Sequence, residues 1–158
     1  MGKIPTPDET FDPGSPLGRV LAVDLGARRI GLAVCDELGL TTRPLSTIKM
    51  SRDFARCIAL LCAELDVRVI VVGLPLRMDG TEGDAARRAR LAAAQLARQT
   101  NLPVYLQDER LSTREAEEQL RAAGLKRAVR RAKVDSTAAL IILRDFLAQA
   151  PTQRIAVE

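Results

Sequence analysis

Apolar residues fall along this chain in short dense runs separated by polar, glycine- and proline-bearing stretches, and each run carries the period of one element. Val20 to Val23 and Ile30 to Val34 are continuous apolar runs joined by Gly26-Ala27-Arg28-Arg29, which predicts a hairpin of two buried strands over Arg19 to Asp36. Thr41-Thr42-Arg43-Pro44 reads as a loop and Leu45 to Lys49 as a third strand. Ser51 is placed as an N-cap, after which Phe54, Ile58, Leu61 and Leu65 recur at helical spacing. Arg68 to Val72 is dominated by β-branched residues, the pattern of a central strand buried on both faces, and it opens into a turn-rich loop from Gly73 to Gly83. Asp84 to Gln99 is an Ala- and Arg-rich helix, and Pro103 to Gln107 is a further strand. Ser112 and Glu115 form a capping box for a helix that Gly124 stops. Asp135-Ser136 opens a last helix through Ala139, Ile142, Leu143 and Phe146, ending before Pro151.

A hairpin followed by strands alternating with helices predicts an α/β fold, one central mixed β-sheet flanked by α-helices on both faces. With 158 residues, 47% of them hydrophobic, the chain suffices for one core and is too short for two ordinary domains. That domain is expected over 19–150. Residues 1–18 form a Pro-rich leader too poor in apolar side chains to offset its own ordering, expected to be disordered, and 151–158 form a tail.

Histidine is absent, which removes Ser-His and Cys-His catalysis and every His-containing zinc site. Cys35, Cys57 and Cys62 lack CxxC spacing and sit among apolar residues, as buried thiols of a reducing cytoplasm would. No apolar run approaches the ~18 residues of a membrane span, so no membrane partner is expected. Lys and Arg exceed Asp and Glu by 24 to 20, a mild basic bias that suits an anionic partner. Aromatic residues make up only 3%, too few for a base-stacking platform, and Tyr105 is placed in the core.

Three carboxylates stand at the ends of elements: Asp24 on the first strand, Glu109 after a late strand, Asp135 at the last helix. Each has a structural reading, as a turn former at Gly26, a solvated strand end and a helix N-cap. Together they have a chemical one, because clustered hard oxygen ligands hold the Mg²⁺ or Mn²⁺ of metal-assisted phosphodiester hydrolysis. Alternation turns Asp108 away from the face of Glu109. Arg87, Arg88 and Arg90 share one helix, while Lys126, Arg127, Arg130, Arg131 and Lys133 immediately precede Asp135, where a phosphate backbone would have to pass.

Four blocks carry a resemblance. They are Asp24-Leu25-Gly26-Ala27-Arg28-Arg29-Ile30-Gly31 with Asp36, Val72-Gly73-Leu74-Pro75-Leu76 with Asp79-Gly80-Thr81, Asp108-Glu109-Arg110-Leu111-Ser112-Thr113, and Val134-Asp135-Ser136 with Ala138-Ala139. In this order and spacing, from Arg19 to about Ala148, they resemble the YqgF/RuvX family of ribonuclease H-like nucleases. Cys35 stands where that family commonly has serine. The resemblance implies a ribonuclease H-like fold, a cytoplasmic role in trimming the 5′ end of precursor 16S rRNA, and Asp24, Glu109 and Asp135 as the catalytic, metal-binding acids. Two divalent cations, Mg²⁺ or Mn²⁺, would then activate water and stabilise the departing 3′ oxygen. Lys126, Arg127, Arg130, Arg131 and Lys133 would hold the strand, with Arg28, Arg29 and Arg110 from the matching blocks beside them. RNA is the expected partner, and the chain a monomer or homodimer.

Three other readings compete. A Holliday-junction resolvase acting on branched DNA would use a similar acid cluster but need a dimer for paired cuts. An ATP-binding module of the actin-like kind would need two duplicated domains, and the chain has room for one. A non-catalytic ribosome-assembly factor would keep the basic runs and not depend on the acids. Replacing Lys126 and Arg130 together by Ala is expected to weaken nucleic-acid binding across sequences and flatten its salt dependence, because fewer counterions are released. An unchanged slope of log affinity against log salt would mark the run as a solvated surface.

Overall fold

Two buried strands meet across a turn that only glycine can close. In the computed structural model, which describes residues 17–110, 122 and 127–157 (backbone alone at 127–136 and 151), Arg19–Leu25 (β1) pairs antiparallel with Arg29–Cys35 (β2), from Leu21↔Val34 to Leu25↔Ile30. Gly26 donates its N–H to the Arg29 carbonyl at 2.9 Å, and a Cβ on Gly26 would lie 2.6 Å from that oxygen. Any side chain there would open the turn.

Thr42–Lys49 (β3) extends the antiparallel pairing beyond β2. It begins earlier than the pattern suggested, for Arg43 and Pro44 lie inside the strand rather than in a loop, Pro44 opposite Ala33. A proline is tolerated because β3 is the sheet's edge, where a missing N–H costs no ladder bond. Val67–Leu74 (β4) runs parallel to β1, and Val104–Asp108 (β5) parallel to β4. Gly73 and Leu74 thus belong to the strand and not to the loop. Beyond Ala150 the chain adds Ile155–Ala156 (β6) antiparallel to β5, and Val157 donates to the Val104 carbonyl at 2.8 Å. The strand order is β3-β2-β1-β4-β5-β6.

Period-two alternation splits the core into two layers. Leu21, Val23, Ile70, Val72, Val104 and Leu106 pack with Phe54–Leu65 (α1) and Asp84–Thr100 (α2) on one face. Val20, Ala22, Ala33, Cys35, Val69 and Val71 pack with Ala139, Ile142, Leu143 and Phe146 of Arg127–Ala148 (α3) on the other. This is the mixed, two-faced α/β sheet the sequence predicts.

Three local expectations change. Helix α1 starts at Phe54 with Asp53 in the cap position and no side-chain cap; Ser51 contributes its carbonyl, not its hydroxyl, to the Phe54 N–H at 3.2 Å. Helix α3 starts more than two turns before Asp135, because the intervening Ala, Arg and Lys are good helix formers with no breaker among them. Cys57 is exposed while Cys35 and Cys62 are buried, since Cys57 follows the core-facing Phe54 and Ala55 onto the outer side of α1. Residues 1–16 of the expected leader, Lys126, and the Ser112 to Gly124 helix apart from Ala122 lie outside the described residues. Among the described residues no helix is long and apolar enough to cross a membrane.

Phe146 anchors α3. It is fully buried, its ring centroid lies 5.3 Å from that of Tyr105 on β5, and the Arg154 guanidinium sits 4.5 Å above it. Phe146→Ala is expected to cost about 3–5 kcal/mol of stability, read as a lower urea midpoint with an unchanged m-value. A loss below about 1 kcal/mol would show that α3 is held elsewhere.

Candidate active site at the ends of the parallel strands

Strands β1, β4 and β5 run in the same direction, so their C-terminal ends share one edge of the sheet. On the face covered by α3, the next position after Val20 and Ala22 is Asp24, after Val69 and Val71 it is Gly73, and after Tyr105 and Gln107 it is Glu109. Strand β4 separates the two acids. With strands about 4.8 Å apart, their backbones start about 10 Å from each other.

Gly73 removes the obstacle. A Cβ built there would overlap the Glu109 carboxylate, with its carbon at 3.1 Å and Oε2 nearer still, and would meet Ile142 Cδ1 at 2.7 Å. Without that Cβ, the Glu109 side chain lies across β4 and forms a hydrogen bond with the Asp24 carboxyl group. The Glu109 N–H donates to the Leu74 carbonyl at 3.2 Å, which ties the acid's backbone to β4 as well.

Burial, then the Asp24 charge and hydrogen bond, then the Asp108 charge push the Glu109 carboxyl from 4.5 up to about 8. Two carboxyl groups in hydrogen-bond contact cannot both be ionised cheaply, so in the metal-free protein at neutral pH a proton lies between them. Glu109 is therefore no solvated strand end. Nor does Asp24 act only at the Gly26 turn, which closes through its own backbone while Asp24 engages Glu109.

Asp108 projects to the other face, as alternation requires. Arg110 donates to it from its backbone at 3.0 Å and from Nε at 2.8 Å, and although burial alone would raise the Asp108 carboxyl, these contacts outweigh it and hold it below its usual range. Arg110 is consequently committed to Asp108. Arg28 is exposed on the turn just beyond Asp24, and Arg29 is half-buried beside it. On α2, Arg87 pairs with Asp84 and Arg90 with Glu82 through Nε at 2.6 Å, so Arg88 carries the exposed charge of that run.

Arg127, Arg130, Arg131 and Lys133 occupy the first turns of α3, and Asp135 stands one turn before Ala139 and two before Ile142. That periodicity puts position 135 on the stripe of α3 that covers the sheet; its side chain lies outside the described residues. Among the described residues no three His, Cys, Asp or Glu side chains gather as a metal site, and two acids do meet.

The pair fits a divalent cation on chemical grounds. Its donors are hard oxygens, and a cation would replace the proton that now relieves their repulsion. The sequence reading missed Gly73 as the residue that lets the two acids meet. Gly73 carried a legible signal, since a glycine ending a β-branched run marks close approach. Gln107 is a polar residue in a buried strand. Arg77 is exposed on the loop after β4, its guanidinium against Gly83, and that loop is braced by Asp79, which accepts hydrogen bonds from the Thr81 N–H at 2.9 Å and hydroxyl at 2.6 Å.

A sheet of this order, with an Asp and a Glu brought together under a covering helix, defines a protein of the ribonuclease H-like class. RuvC of T. thermophilus, solved in complex with a Holliday junction substrate, shares the fold over 88% of this chain and 99% of its own, with a TM-score of 0.50 at 14% identity. Residues 18–149 match RuvX, described as Holliday junction resolvase, and the chain belongs to that family of nucleases. Relatives named "Putative pre-16S rRNA nuclease" include one from Anaeromyxobacter sp. (strain Fw109-5), 49% identical over 132 residues that make up 82% of this chain and 96% of the relative. Another, from Lachnospira eligens, is 42% identical over 135 residues with the same coverage. The resemblance read from the four sequence blocks is borne out, and with it the fold.

The raised Glu109 carboxyl predicts how metal-free stability varies with pH. Between about 4.5 and about 8 the folded protein retains a proton that the unfolded chain releases, so stability is highest at the acid end and falls as pH rises through that window. The melting temperature without metal should decline from about pH 5 to about pH 8, and Asp24→Asn should flatten the decline. A wild-type melting temperature that rises across this window would contradict the shared proton.

Proposed function

We propose that this chain is a divalent-metal-dependent nuclease that processes precursor 16S rRNA in the cytoplasm, with Asp24 and Glu109 holding the metal and Asp135 completing the set. The observation that carries this reading is the hydrogen-bond contact of Asp24 with Glu109 across Gly73, two acids from the ends of β1 and β5 in a largely apolar layer. The names of the relatives support the RNA substrate.

Bound Mg²⁺ or Mn²⁺ would supply activation of water and stabilisation of negative charge on the departing 3′ oxygen. The chain's own contribution is positional. Glu109 would hold the cation as a carboxylate, its proton released to solvent, and its backbone bond to Leu74 keeps the side chain over Gly73. Ile142 closes over Gly73 from the α3 side. Arg28 and Arg77, both exposed, together with the basic first turns of α3, provide the phosphate contacts that position a strand without reading its sequence.

The test compares precursor rRNA, generic single-stranded RNA and a four-way DNA junction as substrates for wild type and Asp24→Asn with Mg²⁺ or Mn²⁺. Wild type should cut the precursor RNA at its 5′ side. Asp24→Asn, which keeps side-chain volume and hydrogen-bonding capacity, should lose more than the about 100-fold that removal of an outer-shell partner costs, with fold and RNA affinity nearly intact. Full activity in the variant would remove the acid centre from the mechanism. Preferred cutting of the junction would reassign the substrate to branched DNA.

A further inference from the structure

On the α3 side of β5 the side chains are, in order, Tyr105, Gln107 and then Glu109 beyond the strand end. Tyr105 packs against Phe146, and Glu109 reaches Asp24. Gln107 lies between them, 5% exposed, the only fully buried polar side chain among the described residues. Its Oε1 has no hydrogen-bond partner among the described residues.

A buried acceptor left unpaired is destabilising, and the surrounding layer offers no reason for one. Val69, Val71, Ile142 and Phe146 are apolar, and an aliphatic residue at 107 would pack with them without an orphan. Register makes the position informative. Gln107 is the Cα partner of Gly73, and the space above Gly73 is occupied by the Glu109 carboxylate. Register and alternation therefore put position 107 on the same face as the acid pair, in line with Gly73 and one alternation before Glu109.

We propose that Gln107 is a positioning residue of the cation site, its carbonyl oxygen accepting a hydrogen bond from the hydration shell of a divalent cation held by Asp24 and Glu109. This rests on the reading of those acids as metal-holding. A small divalent cation keeps several of its waters, and those waters are strong donors that lack acceptors in an apolar layer. The amide supplies one. It also supplies no charge, so it adds nothing to the repulsion between the two acids when the cation is absent.

Gln107→Met preserves the volume and removes the acceptor, and Gln107→Glu keeps an acceptor at the same distance from the backbone. For both variants, wild type and Asp24→Asn, the measurements are metal-free melting temperature and the Mn²⁺ dissociation constant by calorimetry. Gln107→Met should melt no lower than wild type without metal, since an orphan has been removed, and should bind Mn²⁺ about 10- to 100-fold more weakly. Gln107→Glu should melt lower without metal and recover wild-type Mn²⁺ affinity or exceed it. A Met variant that binds Mn²⁺ like wild type, or a Glu variant that fails to recover affinity, overturns the role of Gln107 while leaving the acid pair standing. If wild type shows no Mn²⁺ binding that Asp24→Asn abolishes, the acid pair falls as a metal site and this role falls with it.

Discussion

The candidate site depends on one close approach, the Glu109 carboxylate lying where a side chain of residue 73 would otherwise be. Strand order places β4 between the two strands that carry the acids, and alternation sends both acids to the α3 face. Neither feature alone brings them together. Backbones two strands apart leave about 10 Å to cross, more than an aspartate can reach, so a glutamate must span it and the middle strand must present nothing in the way. A longer acid on the outer strand, a shorter one on the inner strand and a glycine between them are one solution to one distance. Ile142 of α3 fills the remaining space over the same glycine, so the helix both seals the layer and limits where the glutamate can go.

That arrangement is electrostatically costly without a ligand. Asp24 and Glu109 share a half-buried position with one proton between them, and burial is the largest single cause that raises the Glu109 carboxyl. The fold tolerates this because the rest of the buried sheet is apolar apart from Gln107, and many of its largest side chains are fully buried. Positive charge brought between two crowded carboxylates would offset that cost, which is why the proposed occupant of the site is a cation.

Much of this was legible from residue order, and the exceptions have physical causes. The runs at Val20, Ile30 and Val69 specify strands because continuous β-branched and aliphatic residues have no other buried use at that length. Asp24 and Glu109 stood out because acids at strand ends demand compensation. Pro44 was misplaced because its tolerance depends on β3 being an edge, a property of the whole sheet that no local window contains. Ser51 has the chemistry of a cap, but the chain uses its carbonyl instead. Gly73 was taken for the start of a loop because glycine signals both a turn and a close contact, and only the register with Gln107 and the reach of Glu109 separate the two.

Asp135 changes meaning most. At a helix start an aspartate needs no explanation beyond capping the free N–H groups. Helix α3, however, is continuous from Arg127, so position 135 is interior, and there an aspartate is among the poorer helix formers because its side chain competes for backbone bonds. The structural reading that made this acid unremarkable is gone. What replaces it is geometric: one turn on from residue 135 is Ala139 and two turns on is Ile142, both fully buried in the layer that covers β1 and β4. The basic turns before Asp135 belong to the same rigid helix, which Phe146 pins to the sheet from the other end. The basic residues and the proposed third acid thereby lie on one helix, so that docking α3 sets the backbone position of both at once.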